Sequence, residues 1–383
     1  MSKLLSIVIP ATRPELLSRC LSTIYSQNYD NYEVIISAND NRGEIKKVAD
    51  TVARYYGPRG FVLPVETCVK YNIYESWDFA VAHASGQYTL ILGDDDAIVD
   101  GGLKLTADTI IANNYPDYVS PAFAWYGHAG INDARGNALR VDTEWQIEGF
   151  TDPKKQLEEL FKLRRSCFSP THCWVKTYDY AGAELENLFA AQYPDYFWHA
   201  IMLARAKTCY LMRQPTLIHG YAVDSSAELL MTRRDIANKW VPAPRLSPVK
   251  AHVYINGWLE TLLNLKKQYP HWFAHYIIDW PAFYAKYAVE IGTESCYQDC
   301  SEYFDELMAA LVAYNVNHPE LPAVMAQTKR VIDAKLWQDN RAQLLNQWLS
   351  GNIFGFETIE AAAKKVTDIW QKKIDLTLET GIK

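Results

Sequence analysis

The chain has 383 residues, 49% of them apolar, with 38 Lys and Arg against 45 Asp and Glu for a formal net charge of −7. That length supports a sizeable core in one large domain or two. The acidic balance and the lack of a basic block argue against a nucleic-acid partner.

Leu4–Ile9 is a short apolar run stopped by Pro10. It reads as a first strand rather than a secretion leader, which needs a longer apolar region and a small-residue cleavage site. No run approaches the ~18 uninterrupted apolar residues of a membrane-spanning helix. The seven cysteines form no CxxC pair, and Cys296 and Cys300 have no neighbouring His or Cys pair to complete a zinc site. Reduced thiols and a cytoplasmic setting, extending to the inner face of a membrane, are the expectation.

The first 130 residues alternate between strand and helix patterns. Strands are expected at Leu4–Ile9, Glu33–Ser37, Phe61–Val65 and Gln87–Leu92. Helices are expected at Glu15–Gln27, Gly43–Tyr55 and Tyr74–Ala84, the first from Leu16, Leu17, Cys20, Leu21 and Ile24 at helical spacing. Such alternation predicts parallel βαβ units, whose ligands bind beyond the carboxyl ends of the strands. Three loops lie at such ends: the one after Ile9, "SANDN" after Ile36 and "GDDD" after Leu92. A mixed region follows, with a strand at Tyr118–Trp125, helices at Lys154–Arg165 and from Pro194–Asp195 onward, and two short strands around Pro215. Pro242–Pro248 reads as a linker. Beyond it come amphipathic helices at Val249–Tyr269, Trp272–Ile291, Gln298–Asn315, Leu321–Leu349 and Glu357–Leu378. The expected layout is an α/β domain at 1–241 and an α-helical domain at 242–383, the latter serving acceptor binding, oligomerisation or partner docking.

Asp94, Asp95 and Asp96 stand in a row directly after an apolar strand. Adjacent carboxylates repel unless water or a cation screens them, so the stretch reads as a solvated turn or as a site for a hard divalent cation. The 25 tyrosines and 12 tryptophans fit stacking platforms for sugars and, equally, an aromatic core.

An ordered set of motifs over about residues 3–222 resembles the family 2 glycosyltransferases of GT-A fold. They are "LSIVIPATRPELLSRCLSTIYSQNYDNYEVIIS", "SWDFAVAHASGQYTLILGDDDAIVDGGL" and "YPDYFWHAIMLARAKTCYLMRQPTLIHGY". The resemblance implies a Rossmann-like sheet flanked by helices, and an inverting, metal-dependent transfer from a nucleotide-diphosphate sugar, a UDP-sugar before others, to a glycan or lipid-linked glycan. It implies that Asp94, Asp95 and Asp96 hold Mn²⁺ or Mg²⁺ on the donor diphosphate, with Asp96 the first choice as direct ligand. Family members often carry another Asp where Gly93 stands, which leaves open which two of the three act as a pair. Asn39 aligns with the base-reading acid and Asp40 offers a ribose contact, although an Asn-Asp turn at a strand end accounts for both. Pro10, Ala11, Thr12 and Arg13 border the nucleotide in the resemblance, and Arg13 meets a phosphate or the base, or simply starts a helix.

Asp195 matches the position of the general base that takes the acceptor hydroxyl's proton. A helix cap is the plainer role for an Asp there, and the two are compatible. His219 is a candidate third metal ligand, or a structural residue. His172, Trp174 and Trp198 fall in the region that faces the acceptor in the resemblance, where the two indoles either stack on a sugar face or simply pack. Polysaccharide assembly at a bacterial surface, peripheral membrane association and a homo-oligomer are further expectations from kinship. The competing readings are a carbohydrate- or nucleotide-binding protein on a decayed transferase fold, and a sugar nucleotidyltransferase. The latter is disfavoured because "IPATRPELL" has no glycine. A prenyl-diphosphate synthase needs an all-helical fold.

Overall fold

The structure is a computed structural model that describes residues 3–40, 43–56, 62–66, 73–131, 135–141, 147–164, 172–177, 193–223, 246–249, 253–293, 300–313, 321–333 and 353–380. Residues 242–245 of the expected linker, Cys296 and residues 334–349 of the expected fourth C-terminal helix lie outside the described residues.

The described strands form one mixed sheet. Its centre is parallel: β1 (Leu5–Ala11) lies between β2 (Tyr32–Ala38) and β4 (Tyr88–Ile91), and β3 (Val62–Glu66) extends it past β2. These strands are nearly continuous apolar runs because both faces of the sheet are covered. On the other side, β4 pairs antiparallel with β9 (Trp174–Lys176), and β9 pairs antiparallel with β6 (Tyr118–Gly127). β10 (Cys209–Tyr221) runs parallel to β6, while β5 (Ala97–Ile98), β7 (Ala138–Val141) and β8 (Gly149–Thr151) are short antiparallel additions. Two strands were expected around Pro215. Instead β10 is one long strand whose register shifts on both sides of that residue, since proline cannot donate to the ladder and is absorbed as an irregularity.

Helices α1 (Pro14–Tyr25), α2 (Glu44–Tyr56), α3 (Ile73–Val81), α4 (Gly102–Ala112), α5 (Pro153–Phe161) and α6 (Pro194–Arg205) flank the sheet. α1 begins with Pro14 at its first turn, where the missing N–H costs nothing, and buries Leu17, Cys20, Leu21 and Ile24. The turn into β4 is fixed by Glu33, a buried carboxylate on β2. It accepts from Ser85 N (2.7 Å) and Gly86 N (2.9 Å). A Cβ on Gly86 would stand 2.6 Å from Ser6 Oγ and 2.9 Å from the Leu5 backbone, so this turn accepts no side chain.

After residue 249 come α7 (Tyr254–Gln268), α8 (Pro270–Phe273), α9 (Trp280–Thr293), α10 (Cys300–Ala313), α11 (Leu321–Asp333), α12 (Ile359–Ala363) and α13 (Val366–Thr380). Three apolar clusters hold the chain together. One face of the central sheet, through Ile7, Ile9 and Leu90, packs on α1, α2 and α4. The other face, through Val8, Ile35 and Ile91, packs on α5 and α6 and continues into α7, α9, α10 and α11. The third joins Ala97, Tyr126 and Ile218 to α12 and α13. The last segment also adds a strand, β11 (Ile353–Gly355), antiparallel to β7. The boundary expected at 241/242 is therefore crossed by a shared core and a shared sheet. No helix among the described residues is long and apolar enough to cross a membrane.

Candidate active site

Four strand ends meet at one rim. β1 and β4 are parallel neighbours and deliver Thr12–Arg13 and Gly93–Asp96 side by side. β9 runs antiparallel to β4, with Val175 opposite Thr89, so its N-terminal end brings His172 to the carboxyl end of β4. β10 runs antiparallel to β5, with Ile218 opposite Ala97, and one residue further His219 reaches Asp96.

The three aspartates have separate environments. Asp94 Oδ2 accepts from the backbone N–H groups of Thr12 and Arg13, both at 2.8 Å, just before α1 begins. Its Oδ1 accepts from Arg13 Nε at 2.8 Å and from the Arg13 terminal nitrogen Nη2. That Nη2 also lies 2.9 Å from Asp95 Oδ1. Burial works against the Arg13 charge, but Asp95 and Asp94 outweigh it and raise its pKa. Arg13 thus neutralises two of the three carboxylates from inside the protein. Burial, opposed by Arg13 and aided by the neighbouring aspartates, pushes Asp95 up to about 6.

Asp96 faces the other way. Its Oδ2 accepts from Gly93 N (2.8 Å) and lies 3.2 Å from His172 Nε2, and its Oδ1 accepts from Gly220 N (2.8 Å) and lies 3.3 Å from His219 Nδ1. Burial opposes its ionisation, yet the two imidazoles outweigh burial and hold the carboxyl well below the usual range. His172 is pushed down by burial, only partly offset by Asp96, while Asp96, Asp95 and Asp195 raise His219 despite burial. One ligand atom each from Asp96, His172 and His219 lies within 4.8 Å of the others. His219 Nδ1 is buried and, among the described residues, makes no well-aligned hydrogen bond. One carboxylate and two imidazoles with ligand atoms this close together fit a divalent transition ion such as Mn²⁺.

Two glycines make this packing possible. A Cβ on Gly93 would come within 2.7 Å of Asp95 Oδ1 and 2.9 Å of Asp96 Oδ2. The place where the resembled family often carries another Asp is thus filled here by its neighbours' carboxylates. A Cβ on Gly220 would lie 1.7 Å from the Asp95 carbonyl oxygen, which also accepts from His128 Nε2 at 2.7 Å.

Asp195 sits in the first turn of α6, half-buried. Burial raises its carboxyl to about 6 against the pull of backbone N–H groups and His219. His219 lowers and Asp195 raises the other's pKa, so the two lie within range of each other's charge.

Other expected site residues are placed as follows. Pro10 and Ala11 end β1, and the Ala11 carbonyl accepts from Asn39 N at 3.0 Å. Asn39 is buried at the end of β2, and Asp40 Oδ2 accepts from Glu44 N at 2.7 Å, which makes it a cap of α2. His172, expected toward the acceptor, stands with Asp96 and stacks on Phe123 at 5.4 Å. Of the two readings of Trp174 and Trp198, the structure fits packing: both are 0% exposed, the first in the core beneath α1 and α4, the second in the core beneath α5 and α7. Neither indole offers a face to a ligand. His128, Gly220 and the pairing of His172 with Asp96 escaped the sequence reading. The only local signal was the glycine directly after His219.

Residues 6–173 match the family described as Glycosyl transferase family 2, a segment of under half the 383 residues that runs from β1 to the edge of β9. The fold is an α/β mixed sheet flanked by helices, with helices following in the C-terminal part. No curated protein matches the chain. Among solved structures, S. aureus TarS is similar at 14% identity and a TM-score of 0.44, over 81% of this chain and 53% of that one. This chain thus spans about half of the full TarS chain. Residues 1–349 of S. aureus TarS in complex with UDP-GlcNAc are similar at 14% identity and a TM-score of 0.44, covering 91% of this chain and 92% of that one. The mannosyltransferase PcManGT from Pyrobaculum calidifontis, in complex with GDP-Man and Mn²⁺, is similar at 14% identity and a TM-score of 0.46, covering 92% and 89%.

Proposed function

We propose that the chain is a metal-dependent, inverting glycosyltransferase that moves a hexosyl group from a nucleotide-diphosphate sugar to a hydroxyl of a glycan or lipid-linked glycan, in the assembly of a bacterial surface polysaccharide. The observation that carries this reading is the cluster of Asp96, His172 and His219 at the carboxyl rim, with the Asp195 carboxylate in charge range of His219. A hard cation bound there would neutralise charge on the departing diphosphate.

In this reading Asp96, His172 and His219 hold the cation. Asp94 and Arg13 keep the β1 loop closed on the aspartate loop, and Asn39 lies at the end of β2 on the nucleotide side. Asp195 accepts the proton of the attacking hydroxyl as the new glycosidic bond forms and the bond to the diphosphate breaks. Attack from the face opposite the leaving group inverts the anomeric centre. A raised carboxyl pKa makes Asp195 a stronger base than an exposed aspartate while leaving it ionised at neutral pH.

Calorimetric titration with UDP, GDP, CDP and dTDP, each with Mn²⁺ and with EDTA, tests the reading and names the base. Binding of one nucleotide only with metal is expected. Binding that ignores metal would overturn metal dependence, and absence of any binding would favour the decayed-fold alternative.

A further inference from the structure

Beside Asp195 lies a group of aromatic rings drawn from both parts of the chain. Tyr193 precedes α6, Tyr196 is in its first turn, and Tyr254 and Trp258 belong to α7. Ring centroids are 5.4 Å apart for Tyr193 and Tyr254, 6.0 Å for Tyr193 and Tyr196, and 5.0 Å for Tyr196 and Trp258. The Tyr196 and Tyr254 hydroxyls are hydrogen-bonded to each other.

This group is built, not incidental. A Cβ on Gly257 would stand 2.5 Å from the Tyr193 ring, so the glycine opens the notch in α7 that the ring fills. Tyr193 N donates to Thr261 Oγ1 one helical turn further along, at 3.2 Å. Trp258 is buried behind Tyr196, whereas Tyr254 is 36% exposed and Tyr193, Tyr196 and Asp195 are half-buried. Burial first, then Tyr196, Tyr193 and Asp195, raise the pKa of the Tyr254 hydroxyl. Tyr254 therefore has surface open to solvent in a group that flanks the proposed base along α6, which neither Trp174 nor Trp198 has.

Resting on the transferase reading, we propose that Tyr193, Tyr196 and Tyr254 form the acceptor subsite, and that its ligand is a neutral saccharide. Phenol rings offer an apolar face to the C–H side of a pyranose, and their hydroxyls reach its hydroxyl groups. Among the described residues, two carboxylates stand at this place, Asp195 and Glu290, which accepts from Ile255 N at 2.7 Å, against one cation, Lys286, whose Nζ lies 6.0 Å from the Trp258 ring and donates to the Leu163 carbonyl; a neutral ligand suits this mixed charge better than an anion. The C-terminal region supplies Tyr254, so acceptor choice is divided between the two parts of the chain.

The test is saturation-transfer NMR on the full chain, with the methyl α- and β-glycosides of glucose, galactose, mannose and N-acetylglucosamine as probes. Nucleotide titration with Mn²⁺ runs in parallel. Saturation of ring C–H protons of at least one glycoside is expected with the unaltered protein. Tyr254→Ala is expected to reduce it about five- to tenfold, while Tyr254→Phe retains it and nucleotide affinity is unchanged in both. Tyr196→Leu serves as the second variant if Tyr254→Ala lowers the melting temperature. No saturation of any glycoside, or equal saturation in Tyr254→Ala and Tyr196→Leu, overturns the proposal. Glycoside saturation that is lost in these variants, in a protein that binds no nucleotide, upholds the subsite and overturns the transferase reading instead.

Discussion

Gly220 presses its backbone against the carbonyl of Asp95, where a Cβ would lie 1.7 Å from the oxygen. The same residue donates its N–H to Asp96 Oδ1 at 2.8 Å. Strand β10 and the aspartate loop are thus locked together at the point where His219 meets Asp96. Gly220→Ala must push them apart. A loss of about 3 kcal/mol in stability is expected from such overpacking, together with loss of Mn²⁺ binding, measured by chemical denaturation and by manganese electron paramagnetic resonance.

The carboxylates are expected to divide by role. Asp96→Asn and His172→Ala each remove a proposed ligand and are expected to weaken Mn²⁺ binding at least about tenfold. Asp94→Asn leaves the cluster intact but unbalances Arg13, and is expected to cost about 2 kcal/mol in stability with Mn²⁺ affinity largely kept. Metal titration beside denaturation curves separates the two classes. Equal loss of metal in Asp94→Asn would return Asp94 to the ligand set.

As the proposed base, Asp195 is expected to set the acid limb of activity. Its carboxyl is raised to about 6, so it is protonated below that pH and cannot accept a proton. The expected kcat/KM falls about tenfold per pH unit below the limb. Asp195→Asn is expected to abolish turnover and spare nucleotide binding. Because the folded state holds this proton more tightly than the unfolded one, Asp195 adds stability at acid pH that is lost as pH rises through about 6. The melting temperature of Asp195→Asn is expected to gain on the unaltered protein from about pH 4 to about pH 7.

Trp198 belongs to the core. Trp198→Ala is expected to cost about 4 kcal/mol, and the conservative Trp198→Phe to leave the KM for any acceptor unchanged. A KM that rises in Trp198→Phe without loss of stability would give the indole a role at the acceptor site.

Local pattern was enough for the first half of the fold. Apolar runs such as Leu4–Ile9 and Gln87–Leu92, alternating with helical spacing in α1, mark parallel units, and the loops after them mark the rim. Short strands were not legible. β5, β8 and β11 have two or three residues each, too few to show a period, and exist because a longer strand offers them an edge. Pro215 looked like a break and proved to be an irregularity inside one strand.

The site divides the same way. The run of aspartates, the acid at the start of α6 and the histidine on a late strand are readable along the chain, because each is a local combination of residue type and element end. What each one touches depends on how distant segments pack. Arg13 and Asp94 are 81 residues apart, His172 and Asp96 76, and Tyr196 and Tyr254 58. Such pairings follow from strand direction and from which glycine yields room, and neither is written in any single stretch of chain. Trp174 and Trp198 show the converse: an indole has the same letter whether it stacks on a ligand or fills a core, and burial alone tells them apart.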